Sequence, residues 1–175
     1  MKKVAVFGNA GAGKSTTSKK LAEYTDLPLY VLDKVQFLPG GREVSHEEYQ
    51  FSHNQLLANK SWIIEGFGNL ESTWARLAKA DTLVYLDLPI YQHALWVTKR
   101  FCKGLLSPPE GWPKKTPLIK ATLNSYRTLW LCHRRLTPQY RQYVADNETT
   151  KTVHHLRSRR DIAAFLTSIK SLEGK

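Results

Sequence analysis

Eight residues near the N-terminus, Gly8-Asn9-Ala10-Gly11-Ala12-Gly13-Lys14-Ser15, have the composition and spacing of a phosphate-binding loop of the Walker A type. The chemistry explains the residue types. Successive main-chain N–H groups must turn inward around a phosphate, and a side chain at Gly11 or Gly13 would obstruct that approach. Lys14 then reaches the β- and γ-phosphates, and the Ser15 hydroxyl is placed to ligate Mg²⁺. The expected contacts to a nucleoside triphosphate are therefore Asn9, Ala10, Gly11, Ala12, Gly13, Lys14, Ser15 and Thr16, with the positive end of the following helix behind them.

Such a loop works only between a strand and a helix, and the flanking residues supply both. Val4 to Phe7 is a short apolar run that predicts a buried strand, and Thr16 to Tyr24 predicts a helix. Further along, Leu29 to Leu32, Trp62 to Ile64, Thr82 to Leu86 and Val153 to Leu156 predict four more strands. Helices are expected from about Ser45, with Ser45 as the cap, to Asn59, then Leu70 to Ala78 and Asp161 to Ile169. Strands alternating with helices imply an α/β fold: a five-stranded parallel sheet with helices on both faces, the three-layer sandwich of P-loop NTPases. The site of such a sheet lies beyond the C-terminal strand ends, which gathers the loop, Asp33, Glu65 and Asp87 along one edge.

Phosphoryl transfer needs a cradle, a metal, a place for the acceptor and cations that cancel charge. Glu65, at the end of the third strand, is the favoured partner of Ser15 for Mg²⁺, and Asp87 is its competitor. Asp33, one strand over from the loop, is placed to orient or deprotonate an acceptor hydroxyl. Arg42, Arg76 and Arg100 are candidate grips on acceptor or donor phosphates.

Composition narrows the class. The chain has 175 residues, is 42% hydrophobic and carries a net charge of +11, which fits one domain spanning 1–175. Residues 100–160 hold 13 Lys and Arg against three acidic residues, so nearly all the excess sits there. That segment contains a region of different character, 101–147, expected to be a lid: a Pro- and Gly-rich loop from Gly104 to Pro113, then a helix from about Pro117 to Arg134. Within the helix, Ile119, Leu123, Tyr126 and Trp130 are expected to pack inward, while Lys120, Arg127 and Arg134 form a basic stripe on another side. With Lys14 and Asp33, Arg100 and Arg134 complete the candidate catalytic groups. A concentrated positive field suits a triphosphate or a nucleic acid alike, so a nucleic-acid-associated P-loop ATPase or regulator stands as the alternative to a kinase.

Other classes are disfavoured. Cys102 and Cys132 have no pairing pattern, and neither Cys132-His133 nor His154-His155 has the spacing of a common metal site. No apolar stretch is long enough to span a bilayer and the short apolar run after Met1 is not an export signal, so a cytoplasmic protein is expected. No Asn-Lys-x-Asp guanine-reading motif and no Leu-Ser-Gly-Gly transporter signature occurs.

Taken together, Gly8 to Thr16, Leu32-Asp33, Trp62 to Gly66, Arg76-Leu77, Ala80-Asp81, Leu86 to Pro89 and Arg100 resemble the small P-loop kinases. The likeness extends to the adenylate-kinase-related proteins labelled as DNA topology modulation, or FlaR-like. The resemblance implies a nucleoside-monophosphate-kinase-like fold, Mg-ATP as phosphoryl donor, a helical lid, and a small acceptor (a nucleoside monophosphate or a hydroxyl compound) bound between the second and third strands. Adenylate kinases follow the third strand with Asp-Gly-Phe-Pro-Arg, whose arginine grips the acceptor phosphate. Here Glu65-Gly66-Phe67-Gly68-Asn69 ends in an uncharged residue, which leaves Arg76 or Arg42 for that role. The position of the lid-base arginine that stacks on adenine is occupied by Trp96, and Arg157 with Ser158 after the fifth strand are alternative contacts to the base.

Overall fold

A computed structural model of the chain describes residues 1–38, 42–106, 118–172 and 174. The side chains of Arg100, Lys103, Leu105, Leu106, Leu118, Lys120 and Ala121 lie outside the described set. The elements follow in the order β1 (Lys3–Gly8), α1 (Lys14–Thr25), β2 (Leu29–Val31), α2 (Leu32–Gln36), α3 (His46–Ala58), β3 (Trp62–Glu65), α4 (Leu70–Lys79) and β4 (Thr82–Leu86). The chain continues through α5 (Ile90–Leu106), α6 (Leu118–Asp146), β5 (Thr152–Leu156) and α7 (Arg159–Leu172).

All five strands are parallel, in the order β2-β3-β1-β4-β5. Alternation along each strand builds two cores. Val4, Val6, Ile63, Val84 and Leu86 face one way and meet Leu21 of α1 and Phe165, Leu166 and Ile169 of α7. Ala5, Phe7, Trp62, Ile64, Leu83 and Tyr85 face the other way and meet Leu57 of α3, Leu77 of α4 and Leu136, Tyr140 and Val144 of α6. This is the expected three-layer sandwich. Because both faces are covered, the strands read as near-continuous apolar runs rather than as alternating ones. β1 lies at the centre, so the loop that leaves it opens between the ends of β3 and β4.

Three local expectations change. Strand β2 stops at Val31, and Leu32 opens a five-residue helix, so Asp33 sits in the first turn of α2 rather than at a strand terminus. Helix α5 is a 17-residue element that the sequence reading did not anticipate; Gly104 to Leu106 form its end, and 107–117 lie outside the described residues. Helix α6 continues through Pro138 to Asp146 instead of ending near Arg134. A proline inside a helix removes one hydrogen bond at a cost of roughly 3 kcal/mol. Burial of Leu136, Thr137, Tyr140 and Val144 against the sheet offsets that cost.

The same burial reverses the expected orientation of the first half of α6. Ile119, Leu123 and Trp130 are exposed, at 67%, 63% and 50%, and Leu129 is the buried residue of that stretch. The residues of α6 that pack into the core against the sheet are Leu136, Tyr140 and Val144, while the N-terminal half rests on α5 through Tyr126 and Thr98, whose hydroxyls bond each other. Arg134 caps the exposed face, its guanidinium 5.0 Å from the Trp130 ring. Among the described residues no helix is long and apolar enough to cross a membrane.

This orientation has a direct test. Leu129→Ala should cost about 2–5 kcal/mol, as for other buried leucines, whereas Leu123→Ser should stay within about 0.5 kcal/mol of the parent in urea unfolding. The opposite ranking would mean that the helix is rotated.

Candidate active site

Gly11 and Gly13 of the loop have φ of 72° and 87°, conformations that other residues adopt only with strain. Gly13 is also the N-cap of α1 and provides no side chain to satisfy the first amides of that helix, which are left for a ligand. The Lys14 ammonium is folded back on the loop, donating to the carbonyls of Gly8 at 3.1 Å and Asn9 at 2.9 Å. Burial pushes its pKa down, and the charges of Glu65 and Asp33 work against that shift. Next to it, the Ser15 hydroxyl donates to Glu65 Oε1 at 3.0 Å. The Glu65 side chain is buried, which raises its pKa, while Ser15 and Lys14 pull the other way.

The pairing of Ser15 with Glu65 separates the two metal candidates. Asp87 is committed elsewhere: it accepts from Arg141 Nε at 2.7 Å and Nη2 at 3.0 Å, and lies 2.9 Å from His155 Nε2. Burial acts to raise the Asp87 pKa, but those partners outweigh it and hold the carboxylate below its usual range. No group of three or more metal-ligating His, Cys, Asp or Glu side chains occurs among the described residues. One hydroxyl and one carboxylate beside a phosphate cradle suit Mg²⁺, which draws its remaining ligands from phosphates and water.

On the acceptor side, Asp33 is exposed in α2 and close to Gly66, where an added Cβ would lie 3.5 Å from Asp33 Oδ1. Arg76, from α4, is 1% exposed and donates through Nη2 to the Gly66 carbonyl at 2.9 Å. Its Nε and Nη1 have no partner among the described residues. Burial brings this guanidinium down to about 10, with Tyr49, Tyr140 and Glu65 opposing. Asn69, which replaces the expected arginine, has a structural task. It caps α4, accepting from the Ser72 amide at 2.8 Å while Ser72 Oγ accepts from the Asn69 amide at 3.1 Å.

Other predicted residues do not converge on the loop. Arg42 is exposed, and Arg134 is exposed on α6 over Trp130. The side chain of Arg100 lies outside the described residues, as does that of Lys120. Arg157 borders a separate cavity of about 550 Å³ shared with Asp87, Arg141, Glu148 and His155, and its Nη2 lies 3.3 Å from His155 Nδ1. The cavity at the phosphate loop, about 480 Å³, is walled instead by Trp96 and Val97 of α5 and Asn124, Ser125 and Thr128 of α6. No local motif flags these residues, because it is the packing of α5 against α6 that brings them to the loop. Also unforeseen is His53 of α3, fully buried with both ring nitrogens unpartnered among the described residues, its ring 5.9 Å from that of Tyr49.

No protein-family model matches the chain. A shikimate kinase from Rhodococcus jostii is 26% identical over 138 residues, covering 71% of this chain and 82% of that protein. Among solved structures, the shikimate kinase from Acinetobacter baumannii in complex with shikimate superposes with a TM-score of 0.59 at 18% identity, covering all of this chain and 96% of the other. An unliganded sugar kinase from Janibacter gives a TM-score of 0.47 at 17% identity over 99% of this chain and 98% of that one. The chain therefore has the fold of the small P-loop kinases, with the matching phosphate loop in place.

Burial pushes His53 down to about 4, and the charge of Arg76 adds to the shift. On acidification the unfolded chain takes up this proton first, so stability present above about pH 6.5 is lost as the pH falls toward 4. His53→Phe keeps the ring and removes the titration. Its urea midpoint should fall less between pH 7 and pH 5 than that of the parent, and equal slopes would remove His53 as a source of acid sensitivity.

Proposed function

We propose that this protein is an ATP-dependent kinase that transfers the γ-phosphate of Mg-ATP to the hydroxyl of a small acceptor carrying a negatively charged group. The observation that supports it most directly is the Ser15–Glu65 hydrogen bond beside the partly buried Lys14 ammonium in the glycine-rich loop. Mg²⁺ held by Ser15, by Glu65 or its water shell, and by phosphate oxygens would draw charge from the β- and γ-phosphates. Lys14 would leave the Gly8 and Asn9 carbonyls for those phosphates. Asp33 would orient the acceptor hydroxyl, whose oxygen bonds to the γ-phosphorus as the bond to the bridging oxygen breaks and ADP leaves. Trp96 offers a ring face to the base.

The negative charge of the acceptor is inferred from Arg76. A guanidinium this buried with two unpartnered nitrogens is costly, and an anionic acceptor beside Gly66 would complete its coordination. A hydroxy acid of the shikimate type fits this chemistry, as does a nucleoside monophosphate. The FlaR-like resemblance belongs to this reading as a statement of kinship within the small kinases. Residues 101–147 would act as the lid and the protein would work in the cytoplasm. The nucleic-acid alternative rests on the basic 100–160 segment and the topology-modulation label, and neither shikimate kinase supports it.

A coupled ADP-release screen, with intrinsic ATPase subtracted, tests the reading across shikimate and other sugar-like acids, nucleoside monophosphates, neutral nucleosides and short oligonucleotides. Turnover is expected with an anionic small acceptor and not with its neutral analogue; stimulation by oligonucleotides alone would reverse the conclusion. With the acceptor found, Lys14→Ala should lower kcat by roughly a hundred- to a thousandfold, as when a preorganised donor to transition-state charge is lost. Arg76→Gln should raise the acceptor KM about tenfold or more with little change in the KM for ATP. An equal rise in both would make Arg76 a strut for the sheet edge.

A further inference from the structure

Histidine 93 lies in the first turn of α5, 1% exposed, and no sequence motif surrounds it. Its ring is wedged between two main-chain carbonyls: Nδ1 is 2.8 Å from the oxygen of Ala10 in the phosphate loop, and Nε2 is 3.1 Å from the oxygen of Leu88 after β4. Both carbonyls are acceptors, so a neutral ring donates to one and leaves the other without a proton. Burial, together with the nearby charges of Lys14 and His133, lowers the His93 pKa and favours the neutral ring. The shorter contact then assigns the proton to Nδ1 and the bond to Ala10.

We infer that His93 is a positioning residue for phosphoryl transfer, which presets the phosphate loop by holding the Ala10 carbonyl. The geometry of the peptide bond carries the argument. In a planar trans peptide the C=O of one residue and the N–H of the next point in opposite directions. Fixing the Ala10 oxygen on His93 therefore turns the Gly11 N–H away from α5 and toward the concave side of the loop, where a phosphate oxygen needs a donor. Without that bond this peptide has little to stop it from rotating, because Gly11, at φ 72°, has the torsional freedom of glycine.

Two neighbouring contacts fix the rest of the same turn. The Asn9 side chain accepts from the Ala10 amide at 2.8 Å and donates through Nδ2 to the Leu129 carbonyl of α6 at 3.2 Å. Gly11 packs so near α5 that an added Cβ would lie 3.3 Å from the Cβ of Trp96. The loop is thus gripped by α5 through its main chain and by α6 through the Asn9 side chain, and His93 supplies the bond to the peptide whose N–H faces the ligand. Preorganisation of this kind means the binding free energy is not spent on ordering the cradle.

The inference rests on the kinase reading, so the test uses two probes, Mg-ATP and Mg-tripolyphosphate, with dissociation constants measured by calorimetry on the full chain. Three variants divide the ring's two functions. In His93→Asn the amide nitrogen occupies roughly the place of Nδ1; in His93→Gln it extends to the place of Nε2; His93→Leu removes both. We expect His93→Gln and His93→Leu to weaken both probes about tenfold, the worth of one hydrogen bond of about 1.4 kcal/mol. His93→Asn should stay within about threefold of the parent. A residue that only fills space would lower the thermal midpoint of all three variants without separating Asn from Gln. Equal dissociation constants for Asn and Gln, or no loss in Gln, would overturn the role of His93 while leaving the kinase reading intact. If the leucine variant does not fold, the Asn and Gln pair still decides. A parent protein that binds neither probe would overturn the kinase reading and this inference with it.

Discussion

The arrangement depends on an ammonium group partly withdrawn from water. Lys14 is partly buried, and a desolvated charge without partners is costly. Two loop carbonyls accept from it directly, and Glu65 and Asp33 supply negative charge nearby. That requirement reaches outward. The Gly8 and Asn9 carbonyls must face Lys14 while the chain turns sharply back into α1, and Gly11 and Gly13 provide that turn at positive φ. The loop must also be rigid, so it is set between the central strand β1 and a helix. Glu65 pays part of the cost, since its own burial disfavours the charge that Lys14 needs. Lys14 and Arg76 thus face Glu65 and Asp33 in one small region, and a polyphosphate with its metal would enter a field already near balance.

Helix α6 shows how one element serves two purposes. Its C-terminal half is fixed twice, by Leu136, Tyr140 and Val144 in the core and by the fork of Arg141 on Asp87. Asp87 is in turn held by His155, whose ring stacks on Tyr85 at 5.0 Å. Its N-terminal half carries exposed apolar side chains and touches the loop mainly through the Leu129 carbonyl and the residues lining the cavity. The half with many buried contacts is costly to move and the half with few is less so.

The parts that were legible in the sequence are those encoded locally. The phosphate loop is a run of eight residues whose backbone does the binding, and the strands Trp62 to Glu65 and Thr82 to Leu86 are continuous apolar runs with clear stops. Ser45 was readable as a cap, and its hydroxyl does accept from the Glu48 amide. The inward face of α6 was not readable. The stretch from 118 to 146 carries apolar residues on more than one side, and only the tertiary packing decides that Leu129 rather than Leu123 is buried. Asp87 fits a metal-binding pattern as well as Glu65 does, and its partner Arg141 lies 54 residues away. His93 and Trp96 belong to a helix that periodicity left unmarked, and their importance comes from contact with a loop more than 80 residues earlier.

That division follows the chemistry of the two substrates. A triphosphate tail is much the same in every nucleotide, and main-chain amides recognise it, so its site is written as a short contiguous motif. The acceptor is what distinguishes one kinase from another, and side chains drawn from several elements must read it. In the function proposed above those would be Asp33 in α2 and Arg76 in α4, which come from two different helices. Asn69 makes the point at a single residue: where an adenylate kinase has a phosphate-gripping arginine, this chain has a helix cap bonded to Ser72. The arginine that lies near this turn is Arg76 of α4, which is buried and donates to the Gly66 carbonyl. On the proposed reading, a charge at that depth would favour an acceptor small enough to insert its anionic group beside Gly66, because a bulky or neutral one would leave Arg76 desolvated and unpaired.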